Sequence, residues 1–132
     1  MKFDKNYFEK QNYTEYTLSK YLKSGKHCLD IARKNSELEI RFHFVYMAFL
    51  KIGLYYIAKE GYRVKSRPGH HKIIIETLSN ILGDENIAII GDKIRKDRNL
   101  DLYASDEKIT QKEVDEYFSF VEYIFKRLNN KL

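Results

Sequence analysis

The chain has 132 residues, 43% of them hydrophobic and 33% charged, with a formal net charge of +5 and a pI of about 9.1; this fits one globular domain with a single core spanning residues 1–132. No apolar run approaches the ~20 residues that cross a bilayer, and the start, Met1-Lys2-Phe3-Asp4-Lys5-Asn6, has no signal-peptide core. Cys28 is alone, which excludes an internal disulfide and a cysteine-built zinc site; a cytoplasmic setting without a membrane partner is expected, and the positive balance favours an anionic partner.

Phe3, Tyr7 and Phe8 precede the first helix and predict an N-terminus held to the body by aromatic contacts. The first helix is expected from about Thr14 to Asn35. Ser36 followed by Glu39 reads as a capping box for the second. Leu38, Phe42, Val45, Phe49, Ile52 and Tyr56 then recur at three- and four-residue spacing as far as Gly61. Phe42, Phe44, Tyr46 and Phe49 span all faces of this helix, which predicts a central position with one flank left for a dimer.

The stretch Tyr62 to Gly69 has turn residues and no apolar stripe, so it reads as a loop. A third helix is expected from His70 to Gly83, with Ile74, Ile75, Leu78 and Ile81 inward. Ile87, Ile90 and Ile94 carry a fourth helix into the segment Arg95-Lys96-Asp97-Arg98-Asn99. Thr110 and Glu113 form a second capping box, and Val114, Tyr117, Val121, Ile124 and Leu128 stripe the last helix. No period-two alternation of useful length occurs. The expected fold is all-α, an antiparallel up-and-down bundle of four to five helices joined by short connections.

Two clusters carry chemistry. Arg95 to Tyr103 holds two Arg, a Lys, two Asp, an Asn and a Tyr, more than a solvated helix end requires. An Arg fork suits phosphate, Asn can orient it, and Tyr adds a hydroxyl or a stacking face. The plain alternative is a surface ion-pair network of Arg98 with Asp97 and Asp101. The second cluster, Arg63, Lys65, Arg67, His70, His71 and Lys72, has no acid and runs into a helix N-terminus. Backbone N–H groups and the helix dipole favour an anion there, and the strip can follow a phosphate backbone. The plain alternative is a solvated loop with His71 packed partly into the core. Adjacent His residues point apart on a helix, and His27 and His43 lack companions at ligand spacing, so no metal and no cofactor are expected. There is no Gly-rich phosphate loop and no nucleophile elbow.

The arrangement Arg98-Asn99, three residues, Tyr103 resembles the motif of the HEPN family: an Arg, often followed by Asn, then four to six residues, then His. Arg98, Asn99 and the spacing of four intervening residues match, and Tyr103 stands where the family carries His. The resemblance implies a homodimer with two motifs at a shared cleft, in a toxin–antitoxin or defence module. It also implies a metal-independent endoribonuclease in which the RNA 2′-hydroxyl attacks the adjacent phosphate. Arg98, Asn99 and Tyr103 would be its catalytic group, and Arg63, Lys65, Arg67, His70, His71, Lys72, Arg95 and Lys96 its RNA-binding set. Tyr ionises near ~10 and His near ~6.5, so Tyr103 is a poor base at neutral pH. Either His70 or His71 supplies proton transfer from the third helix, or the chain is a non-catalytic partner. Such a partner would bind a nucleotide or a nucleotidyltransferase antitoxin through its Arg-Asn face, with Tyr103 open to modification. A plain helical adaptor is the third class.

Overall fold

The computed structural model describes residues 3–102 and 109–129. Five helices make an all-α bundle: α1 Glu15–Lys34, α2 Leu38–Lys59, α3 His70–Leu82, α4 Glu85–Leu102 and α5 Gln111–Asn129. Two three-residue strands, β1 Phe8–Lys10 and β2 Tyr62–Val64, pair antiparallel, with Phe8 opposite Val64 and Lys10 opposite Tyr62. The sheet corrects the expectation of a plain loop after α2. Three residues are too few to display alternation, and the partner strand lies more than fifty residues away. The N-terminus is held as expected: Phe3 stacks on Tyr62 at 4.1 Å and meets Phe8 edge-on at 4.9 Å.

Helix ends follow local chemistry. The Thr14 hydroxyl caps α1 by accepting from the Thr17 N–H at 3.1 Å. Thr110 and Glu113 close the expected reciprocal box on α5, each accepting from the other's backbone N–H. The box expected at Ser36 does not form. Asn35 Oδ1 instead accepts from the Glu37 N–H, and α2 starts one residue later with Glu37 as its uncapped N-cap. Gly83, at φ 64°, ends α3. Asp84 opens α4 by accepting from the Asn86 N–H at 3.0 Å, and its second oxygen takes Arg127 of α5.

α2 is the hub, packing on α1, α3, α4, α5 and β2. Phe42, Val45, Phe49, Ile52 and Ile57 are almost wholly buried in it. Its apolar circumference is therefore covered on most sides within one chain. Two glycines let α3 and α4 come close. A Cβ at Gly53 would stand 2.6 Å from Ile74 Cγ2, and one at Gly91 would stand 2.5 Å from Ile75 Cγ2 and 2.8 Å from the Phe49 ring. The α2–α3–α4 seam so formed is apolar at Gly53 and Gly91. One to three turns away along the same faces it becomes polar, at Tyr46 and His43 on α2 and at Arg95 and Arg98 on α4. No helix of the described residues is long and apolar enough to cross a membrane.

Candidate nucleic-acid interface

The polar end of the seam opens into a cleft of about 490 Å³ between the β2–α3 loop, the start of α3 and α4. Arg67, His70, His71 and Lys72 line one side, and Arg95 and Asn99 the other. Twenty-two residues of chain, from Ile73 to Ile94, separate the two sides, and the seam joins them. Pro68 and Gly69 shape the loop, Gly69 with φ 81°. α3 begins there with no side-chain cap and no acidic residue in its first turn, which leaves a positive helix end facing the cleft. His70 folds the loop back, its Nδ1 lying 2.8 Å from the Arg67 carbonyl.

α2 contributes to the same cluster with a buried Tyr46 and an exposed His43. The Tyr46 hydroxyl and His71 Nδ1 are 3.0 Å apart with one proton between them. Burial pushes the Tyr46 phenol up to about 12, partly offset by Arg95 and Arg98. Burial holds the His71 imidazole below its ordinary range, reinforced by the charges of His70, Arg95 and Arg98. Arg98 Nη2 reaches His43 Nδ1 at 3.2 Å, while Arg98 Nε is buried with no hydrogen-bond partner among the described residues. Desolvation, and then the Arg98 charge, hold His43 below the usual imidazole value. Burial and the surrounding cations thus both favour the neutral form of these two imidazoles.

The residues singled out in sequence divide clearly. Arg67, His70, His71, Lys72, Arg95 and Asn99 share the cleft, and Arg98 stands beside it on His43. Arg63 and Lys65 are drawn away: Arg63 pairs with Glu9 across the sheet at 2.5 Å, and Lys65 donates to the Lys5 carbonyl at 2.7 Å. Lys96 pairs with Asp92 at 3.0 Å and does not line the cleft. Asp97 accepts from the Tyr117 hydroxyl of α5 instead of pairing with Arg98. Tyr103 and the side chain of Asp101 lie outside the described residues.

His43 and Tyr46 were missed in sequence. The available signal was His43 itself, a titratable residue between Phe42 and Phe44 on a helix otherwise apolar all round. Among the described residues no group of three His, Cys, Asp or Glu has the arrangement to hold a metal. Comparison with protein-family models, with curated proteins and with solved structures returns no match to this chain. The fold and cleft define an all-helical domain with a cationic, histidine-rich recess.

Proposed function

We propose that this protein binds RNA through its phosphodiester backbone in the α3–α4 cleft and acts there as a HEPN-like, metal-independent endoribonuclease. The observation carrying this reading is the convergence of Arg67, Lys72, Arg95 and Asn99, from segments distant in sequence, on one recess at an uncapped helix start. Guanidinium forks and free N–H groups recognise phosphate oxygens. The adjacent neutral imidazoles suit proton transfer near neutral pH. Arg98 and Asn99 keep the roles the motif implies, neutralising charge on the phosphorane and orienting the fork.

The alternative, a non-catalytic partner binding a nucleotidyltransferase or a nucleotide through the Arg-Asn face, is favoured by one feature: Tyr where the motif carries His. Fluorescence anisotropy with labelled single-stranded RNA in EDTA, followed by gel analysis of the same samples, separates the readings. Saturable binding with cleavage is expected. Binding without cleavage favours the partner reading, and no saturable binding sinks the cleft as an RNA site.

A homodimer, and a place in a cytoplasmic toxin–antitoxin or defence module, belong to the same proposal. Light scattering should return about twice the chain mass of 15.8 kDa. A monomer at high concentration removes the shared cleft.

A further inference from the structure

A ribonuclease reading needs an atom that accepts the 2′-hydroxyl proton, and the tyrosines described near the cleft are unsuited to it. The Tyr46 phenol is pushed up to about 12, and Tyr117 is pushed further up by burial and by its bond to Asp97. His71 Nδ1 is taken by Tyr46. On the proposal that the cleft binds RNA, we infer that His43 is the proton acceptor for cleavage, with Nδ1 as the accepting atom and Arg98 as the group that covers that atom until a phosphate draws it away.

The first support is the sense of the Arg98–His43 bond. A guanidinium has donors only, so at 3.2 Å Nη2 donates and the Nδ1 lone pair accepts. His43 is therefore the neutral tautomer with its proton on Nε2, and the basic lone pair is the one that Arg98 occupies. His43 is an exposed residue on α2, so displacing Arg98 leaves that lone pair accessible.

The second support is that Arg98, among the described residues, meets no carboxylate. Arginines that bridge helices elsewhere hold carboxylates: Arg33 with Glu122 at 2.9 Å, Arg41 with Asp115 at 2.7 Å and Arg127 with Asp84 at 3.0 Å. Arg98 holds a neutral imidazole and keeps a buried Nε without a partner among the described residues. A phosphate oxygen is a stronger acceptor for a guanidinium than an imidazole nitrogen. Arg98 on α4 is the charge that acts on His43, and Arg95 and Arg98 on α4 with His70 on α3 act on the neighbouring Tyr46 and His71. A bound phosphate brings negative charge into this set, which favours the protonated imidazole that the reaction forms.

The step balances without a redox partner. The 2′-hydroxyl gives its proton to His43 Nδ1 as the 2′-oxygen forms a bond to phosphorus. The bond from phosphorus to the 5′-oxygen breaks, and that oxygen takes a proton from water. His43 then returns its proton to solvent, leaving a 2′,3′-cyclic phosphate and a 5′-hydroxyl.

The test joins His43→Gln to an NMR titration of the parent. Gln keeps an oxygen to accept from Arg98 and cannot titrate. Its RNA affinity should stay within about twofold of the parent, while cleavage in EDTA falls by about 100-fold or more. The rising limb of the pH–rate profile should be lost as well. In the parent, binding a non-cleavable 2′-O-methyl oligonucleotide should raise the His43 imidazole pKa and abolish the signature of an accepted bond at Nδ1. The assignment is overturned if His43→Gln cleaves at the parental rate, or if the bound oligonucleotide leaves the His43 titration where it was. A parent that binds RNA but yields no cyclic phosphate overturns the role of His43 and leaves the binding reading standing. A parent that binds no RNA overturns both.

Discussion

On the flank of α2 that faces α1 and α5, arginines meet carboxylates of other helices, Arg33 with Glu122 and Arg41 with Asp115, and Arg127 of α5 meets Asp84 in the turn between α3 and α4. On the flank that faces α3 and α4, the cations of the cleft are matched, among the described residues, within their own helix or by no carboxylate. Arg95 pairs with Asp92 and Lys72 with Glu76, each about one turn away on its own helix. Arg98 meets a histidine, and Arg67 is in no ion pair among the described residues. Pairs between helices fix how the helices sit. Pairs within a helix fix little and are easily exchanged for a stronger anion. The first flank is built to hold the bundle; on the function proposed above, the second is left free to hold a ligand.

The largest expected effect comes from forcing the seam itself apart. Gly91→Ala places a methyl group against Ile75 and Phe49. It should cost about 1–3 kcal/mol in overpacking, against about 1 kcal/mol gained in helix propensity. Chemical denaturation should show a net loss, and RNA affinity should fall with it because α4 carries Arg95 and Asn99. An RNA affinity untouched by a displaced α4 would detach the binding site from the seam.

A smaller effect sharpens the contrast between the flanks. Arg41 is largely buried, donating to the Ala32 carbonyl at 3.1 Å as well as to Asp115. Arg41→Ala should lose about 1–2 kcal/mol of stability and leave RNA affinity unchanged. Arg67→Ala should do the reverse, shifting stability by under about 0.5 kcal/mol while weakening RNA binding. Equal behaviour of the two variants in both assays would erase the distinction.

The smallest effect is on pH. His43 and His71 have folded pKa values below the unfolded value of about 6.5. The unfolded chain therefore binds more protons in that interval, so stability is full above about pH 6.5 and declines as pH falls through the folded values. His71→Gln should flatten that part of the stability–pH curve. The carboxylates held low by cations, Asp92 and Glu122, act only at more acidic pH. A curve that is flat from pH 7 to 5 in the parent would contradict the neutral-histidine cluster.

The helices were legible in the sequence because their apolar stripes are long and their punctuation is strong: Thr14 before α1, Gly61 after α2, Pro68-Gly69 before α3, Gly83 after it and Thr110 before α5. What escaped was short or long-range. The start of α2 turned on whether Asn35 or Ser36 took the first free N–H, a competition that spacing alone does not decide. β2 is three residues long and pairs with a strand at the other end of the first two helices. In the candidate site, the cationic residues were visible as types, but their grouping was not. Arg63 and Lys65 sit in the same run as Arg67, yet the strand pairing turns them to Glu9 and the Lys5 carbonyl. His43 could join Arg98 only after α2 and α4 were packed side by side, fifty-five residues apart.

On the proposed function, RNA is bound by the α3–α4 flank and not by the overall positive charge. The direct measurement is the salt dependence of RNA affinity for two charge-matched variants, Arg67→Ala with Lys72→Ala on the cleft and Arg33→Ala with Lys126→Ala on the opposite flank. The slope of log affinity against log salt should fall by about 1.4 for the cleft pair, near 0.7 per lost phosphate contact, and stay unchanged for the other pair. Equal reductions in both would show that RNA responds to net charge alone and would contradict binding at the cleft.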